Sequence, residues 1–123
     1  MTPNELYTAA ATAAVQAANA CTPTPMGVYD ADPLTGARRG PVQVVSEGPC
    51  GFAYVIIKPA RGAFVKYLKD QKIGHKGYYG GYEVSMSHLS SSQSYERAVA
   101  ASRAFAKVLQ DNGVKCYTDS RLD

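Results

Sequence analysis

The longest uninterrupted apolar run of the chain covers residues 52–57 and lies between Pro49 and Pro59. Alternate residues of a β-strand face opposite sides, so both sides of this segment would be apolar. That pattern is typical of a central strand that is covered on both faces. Pro59 has no N–H to donate to a ladder and would end the strand. We therefore expect the fold to be built around this strand.

Three segments show the 3.6-residue periodicity of amphipathic helices, namely residues 4–20, 61–73 and 95–110. The first belongs to an N-terminal segment, residues 1–21, that is rich in alanine, the best helix former. It is expected either to pack closely or to lie at the periphery of the domain. Basic residues take the outer face of the second helix, and Gly113 is a typical stop for the third.

The remaining strands are predicted from shorter β-branched or alternating segments at residues 26–30, 42–46, 83–88 and 114–117. Residues 42–46 precede the turn Glu47-Gly48-Pro49 and are predicted to form a hairpin with the central strand. Residues 118–123 have the composition of a short polar tail. The predicted order of elements is α-β-β-β-α-β-α-β.

This order predicts a single α+β domain over residues 1–123, with three helices packed on a mixed or antiparallel sheet of four or five strands. The chain has 123 residues, of which 46% are hydrophobic and 19% charged, and this excludes wholesale disorder. No apolar run approaches the ~18 residues needed to cross a membrane. Glu5 stands where a signal peptide needs positive charge. We expect neither a membrane segment nor a secretion signal.

The net charge is only +3, but it is unevenly distributed. Residues 58–76 contain six cations and one acid, a local net charge of +5. This basic segment runs into residues 75–82, which contain three glycines and three tyrosines. Lysines can neutralise phosphates while tyrosines stack on bases, and tyrosine-rich loops serve protein interfaces equally well. The candidate binding residues are Arg61, Lys66, Lys69, Lys72, Lys76, Tyr78, Tyr79 and Tyr82.

One candidate catalytic arrangement has Cys50 as a nucleophile and His75 or His88 as its base. A cysteine at the head of a buried strand is more often a small hydrophobic residue. The three cysteines show no CxxC spacing, which favours reduced thiols over a zinc site. The glycine-rich residues 74–81 match neither the P-loop nor the Rossmann pattern. We therefore expect a protein that is not an enzyme and that holds no cofactor and no metal.

Several motifs together resemble a family of small uncharacterised proteins encoded by tailed bacteriophages and prophages. The resemblance rests on Cys21-Thr-Pro-Thr-Pro-Met26, Cys50-Gly-Phe-Ala-Tyr-Val55 with Lys58-Pro59, Gly80-Gly81, the helix at residues 95–109 and the closing Ser120-Arg-Leu-Asp123. It spans nearly the whole chain and brings no established activity. It implies action in the cytoplasm of an infected bacterial cell, and it implies that Arg121 and Asp123 are docked.

The leading functional hypothesis is a small phage accessory protein that binds a host macromolecule without catalysis, with a host bacterial protein as its partner. The first alternative is nucleic-acid or nucleotide binding through the basic helix and the Tyr/Gly loop. The second is a cysteine-dependent enzyme or a minor virion component. Self-association into a homodimer is left open, and no membrane partner is expected.

Overall fold

The structure is a computed structural model, and it describes residues 1–31, 33–90 and 92–123. Its helices are α1 (Pro3–Ala20), α2 (Ala63–Asp70) and α3 (Tyr95–Asp111). Its strands are β1 (Met26–Ala31), β2 (Arg38–Val45), β3 (Gly51–Ile57), β4 (His75–Lys76), β5 (Tyr82–Ser85) and β6 (Cys116–Leu122).

The predicted α+β class is confirmed, and so is the order of the predicted elements. The two-residue strand β4 is an addition to that order. Four strands form one antiparallel sheet in the order β4-β5-β3-β6, while β1 and β2 form a separate antiparallel pair. From β3 to β6 the elements run β-α-β-β-α-β, which is the order of a split β-α-β fold.

The core lies between one face of the sheet and the helices. Ala53, Val55 and Ile57 of β3 are buried there. Helix α3 packs across β3 and β6 and contributes the fully buried Phe105 and Leu109. Helix α1 packs closely along α3 through a buried stripe of one leucine and three alanines, and the small alanine side chains let the two backbones approach. That stripe consists of Leu6, Ala10, Ala14 and Ala18.

The helix boundaries follow from local capping. Thr2 and Glu5 form a capping box at the start of α1, as each side chain bonds the backbone N–H of the other. The Ser94 hydroxyl accepts from the N–H of Arg97 at the start of α3. Gly113 follows α3 with a φ of +84°, a backbone conformation that glycine adopts without strain.

The expectation that β3 is covered on both faces is wrong. Phe52, Tyr54 and Ile56 point away from the helices, and 37% of Phe52 is exposed. The physical reason is the connectivity. The β3-α2-β4 and β5-α3-β6 crossovers run in opposite directions from antiparallel strands, so right-handed crossovers place both helices on the same face. No helix or strand among the described residues packs across the other face.

The predicted hairpin between residues 42–46 and the central strand is also wrong. Strand β2 pairs with β1, with Met26 opposite Val45 and Gly27 opposite Val44. Both edges of β3 are already occupied by β5 and β6, so β3 has no edge left for β2. The turn at Gly48 carries the chain from one sheet to the other.

The last residues are not a polar tail. Strand β6 continues to Leu122 and pairs with β3 along its whole length, from Ile57 opposite Cys116 to Gly51 opposite Leu122. This segment is polar because it is an edge strand with one face open, and such a strand buries few of its side chains.

Candidate binding surface

The face of the sheet that the helices leave bare is called the open face here. Its members follow from the register, since directly paired residues of antiparallel strands lie on the same side. Ile56 stands between Glu83 and Tyr117, and Tyr54 stands between Ser85 and Asp119. The open face consists of Phe52, Tyr54, Ile56, Glu83, Ser85, Tyr117, Asp119 and Arg121.

The loop at residues 77–81 joins β4 to β5 and borders the open face. Its ends are held together by a hydrogen bond of 2.9 Å from the Gly77 N–H to the Gly81 carbonyl. Gly81 has a φ of +77°, and a Cβ there would lie 2.7 Å from Cγ2 of Ile56. Glycine is therefore required both for the backbone conformation and for this close approach.

Tyr78 and Tyr79 form the tip of this loop and are almost fully exposed, at 90% and 89%. Their rings meet edge to face, with centroids 4.8 Å apart and planes at 82°. That arrangement is a favourable one for two aromatic rings. Both tyrosines therefore stay exposed at the rim of the open face, and their mutual contact does not bury them.

A groove of about 370 Å³ lies on the open face. Tyr54 and Ile56 line it from the central strand, and Tyr78, Tyr79 and Tyr117 add aromatic rings. Its ionisable lining residues are His75, Glu83, Asp119 and Arg121. The groove therefore combines aromatic and aliphatic surface with a few charged groups of both signs.

The charges of the groove are partly compensated within the fold. His75 Nε2 lies 3.3 Å from Oε2 of Glu83. The Arg121 guanidinium lies 5.5 Å from the centroid of the Phe52 ring, a cation–π contact. The Lys58 ammonium lies beside Gly80, since a Cβ at that glycine would be 3.7 Å from Nζ. With Arg121 and Lys58 against two carboxylates, the groove does not concentrate positive charge.

The structure separates the eight residues that the sequence singled out. Tyr82 faces the helices, with only 4% of its surface exposed, and its hydroxyl donates a 2.5 Å hydrogen bond to the Ile73 carbonyl. Burial raises the pKa of Tyr82 above its usual value. Lys69 Nζ lies 5.9 Å from the Tyr82 ring, so this lysine belongs to the helix side of the sheet. Tyr78 and Tyr79 alone join the open face.

The other basic residues do not reach the groove. Lys66 is exposed on α2, and Lys72 lies in the turn after that helix with a φ of +59°. Lys76 is paired with Tyr82 in the register of β4 and β5, so it shares the helix side. Arg61 lines a different cleft, of about 550 Å³, together with Lys115.

Sequence reasoning missed most of the open face. The alternation of Phe52, Tyr54 and Ile56 is visible in the sequence, but apolar residues on both sides of a strand predict two covered faces. Tyr117 and Arg121 could not be placed opposite them without the long-range pairing of β6 with β3. Two aromatic residues at alternate positions of β3, Phe52 and Tyr54, are the sequence signal that would have indicated this surface.

The described contacts do not assemble a cysteine nucleophile with a base. Cys50 is exposed at the head of β3, while His75 pairs with Glu83. His88 was expected on a strand with Val84 and Met86, but β5 ends at Ser85 and His88 follows in a turn. Its Nε2 lies 3.2 Å from the Tyr7 hydroxyl. Among the described residues no cluster of three metal-ligating side chains occurs.

Comparison with protein families, with curated proteins and with solved structures gives no significant match to this chain. Within the described part of the chain, no helix combines the length and the apolar character that a membrane span needs.

Proposed function

We propose that this protein is a non-catalytic binding protein that takes a polypeptide partner on its open face. The observation that carries the proposal is the open face of the central strand. Phe52 and Tyr54 remain accessible there, beside the almost fully exposed Tyr78 and Tyr79. Ile56 of the same face is buried, at 5% exposed, but the aromatic rings around it are accessible. Exposed aromatic surface framed by polar groups is typical of an interaction site. Tyrosine and arginine are also the residues that protein interfaces favour.

The charge of the groove supports a polypeptide over a nucleic acid. Glu83 and Asp119 flank the aromatic residues, and they are opposed by Arg121 and by Lys58, whose Nζ lies beside Gly80 at the edge of the groove. A phosphate backbone laid across this face would meet two carboxylates, and binding of a polyanion depends on neutralising its phosphates with cations. A peptide with an apolar anchor and a basic side chain would meet complementary groups instead.

The setting of the proposal follows the resemblance to phage-encoded proteins. In that setting the partner is a protein of the infected bacterium, and the binding takes place in the host cytoplasm. The size of the chain suits a role in which binding itself inhibits or redirects the partner.

A second function is favoured by a separate observation, the cluster of cations on the helix side. Lys66, Lys69, Lys72 and Lys76 are exposed there, and the described residues include no salt bridge to any of them. This cluster would attract nucleic acid by charge alone, since Tyr82 beside it is buried and cannot stack on a base. Binding of that kind would fall steeply with salt.

Two matched double variants distinguish these functions in a pull-down from bacterial lysate, with and without nuclease. Tyr78→Ser/Tyr79→Ser removes the rim of the groove, and Lys66→Glu/Lys69→Glu reverses charge on the helix side. The proposal expects that a captured host protein stays bound after nuclease treatment. The affinity for that protein should fall by roughly tenfold or more in the tyrosine variant and stay unchanged in the lysine variant. The opposite pattern, or recovery that disappears with nuclease, would favour nucleic acid on the helix side.

A further inference from the structure

Strand β6 is an edge strand with a free side. It pairs with β3 on one side, and no other described strand pairs with it. It is seven residues long, contains no proline and is mostly exposed. Such an edge presents a row of backbone donors and acceptors that can pair with another chain.

The hydrogen bonds of the ladder show which groups of β6 face outward. The Lys58 N–H donates to the Lys115 carbonyl, and the Asp123 N–H donates to the Cys50 carbonyl. In an antiparallel ladder these bonds occur at every second residue, so the odd-numbered residues of β6 bond to β3. The backbone groups of Thr118, Ser120 and Leu122 therefore point to the free side.

Two side-chain contacts occupy backbone groups on this free side. Gln110 Nε2 donates a 2.9 Å hydrogen bond to the Cys116 carbonyl, which lies outside the pairing proposed below. Oδ1 of Asp119 accepts a 2.9 Å hydrogen bond from the Ser120 N–H. A pairing strand would supply a backbone carbonyl to Ser120 in its place. The Asp119 carboxylate would then be released for another partner on the open face.

We propose that a second copy of this chain pairs with this edge, β6 against β6 in antiparallel orientation, about a two-fold axis at Ser120. In this register Ser120 faces its own counterpart, and Thr118 faces the second copy's Leu122. The backbone N–H and C=O groups of these residues face outward, so donors of one copy meet acceptors of the other. Asp119 then stands directly opposite the second copy's Arg121, and the symmetry forms this ion pair twice.

Charge selects this register from its neighbours. An axis at Asp119 would place two aspartates opposite each other, and an axis at Arg121 would do the same for two arginines. An axis at Thr118 would place Arg121 opposite Lys115. Like charges directly opposite each other destabilise a sheet, whereas opposite charges stabilise it. Axes at Tyr117 and Leu122 would also join opposite charges, Lys115 with Asp119 and Arg121 with Asp123. They pair at most three residues of β6 with the second copy's β6, whereas the Ser120 axis pairs five.

The resulting dimer contains a continuous eight-stranded antiparallel sheet. Its two-fold axis is perpendicular to the sheet, so the helices of both copies lie on one side and the two open faces join on the other. The inference rests on the free edge and its charges and does not depend on the proposed partner.

Sedimentation equilibrium of the purified full chain over a range of concentrations tests the dimer, with no partner present. The wild type is expected to dimerise, and Asp119→Arg and Arg121→Asp are each expected to raise the dimer dissociation constant by roughly tenfold or more. The exchanged double variant, Asp119→Arg/Arg121→Asp, should restore it, since the same pairs form with their signs reversed. Asp70→Arg makes the same charge change on exposed α2 and should leave the constant unaltered.

Three outcomes would overturn the proposal. They are a wild type that stays monomeric up to about 1 mM, single variants that dimerise as the wild type does, and a folded double variant that does not recover. Amide hydrogen exchange of the wild type gives a reading that needs no variant. The amides of Thr118, Ser120 and Leu122 should gain protection as the concentration rises, and unchanged exchange at all three would contradict the pairing. A failure here, in the absence of any partner, leaves the pull-down result independent.

Discussion

Arg97 joins three separate parts of the chain. Its guanidinium bonds both carboxylate oxygens of Glu47, at 2.7 Å and 3.1 Å, and donates a 2.5 Å bond to the Ala18 carbonyl. It thereby links the turn before β3, the first turn of α3 and the end of α1. Planar bidentate pairing of this kind is specific to arginine.

The ion pair predicts a pH-dependent stability. The hydrogen bonds that Glu47 accepts from Arg97 hold the pKa of Glu47 below its usual value. A depressed folded-state pKa stabilises the protein above the unfolded-state pKa, about 4.3, and that contribution is lost as the pH falls through the folded-state value. Glu47→Gln should therefore lower the melting temperature at pH 7, and by less at pH 3.

Thermal unfolding across this pH range checks the prediction, with Asp70→Asn as a control. Asp70 is exposed on α2, and the described residues include no salt bridge to it. An equal loss of stability in Glu47→Gln at pH 3 and pH 7 would show that the ionised carboxylate is not responsible.

The cysteines predict a second residue-level result. Burial raises the pKa of the Cys116 thiol to about 11, whereas Cys50 is exposed. At pH 8 only about one Cys116 thiol in a thousand would be ionised, and the thiolate is the reactive form. A thiol reagent should modify Cys50 at least about tenfold faster than Cys116. Mass spectrometry of the labelled peptides measures both rates, and equal rates would contradict the burial of Cys116.

Individual helices could be predicted from sequence, but the partners of the strands could not. Thr2 with Glu5, and Ser94, mark helix starts through contacts within a few residues. The pairing of β3 with β6 joins residues 59 to 71 positions apart, and no local pattern encodes it. The apolar residues on both sides of β3 therefore suggested two covered faces, although the connectivity covers one.

The elements should contribute unequally to stability. Phe105 of α3 is fully buried between the sheet and α1, so Phe105→Ala should cost about 3–5 kcal/mol in the free energy of unfolding. Val44 of β2 is 70% exposed, so Val44→Ala should change that free energy by no more than about 0.5 kcal/mol. Urea denaturation measures both, and a comparable cost for the two would mean that the β1–β2 pair belongs to the main core.

In the molecule as a whole, the helices that form the core pack on one face of the sheet, and the proposed binding surface is the other face. The helices take the face with Ala53, Val55 and Ile57, and the open face keeps its aromatic residues accessible. The basic segment and the tyrosine loop are adjacent in sequence but lie on different sides of the sheet. Sequence proximity therefore predicted a single surface, whereas the structure places its members on two.

This division predicts that the rim tyrosines can be removed without loss of the fold. Tyr78→Ser/Tyr79→Ser removes two side chains that are almost wholly exposed, so the free energy of unfolding should change by no more than about 1 kcal/mol in total. Urea denaturation beside the binding assay checks this. A large destabilisation would mean that the tyrosines support the loop, and a loss of binding could then not be ascribed to contact.

The most direct test of the open face as the working surface is a chemical footprint of the complex captured from lysate. Tyrosines and lysines are modified in the free and the bound protein, and the labelled positions are read by mass spectrometry. The account predicts that Tyr78, Tyr79 and Tyr117 are labelled in the free protein and protected in the complex, while Lys66 and Lys69 are labelled equally in both. Protection of the two lysines with continued labelling of the three tyrosines would contradict it.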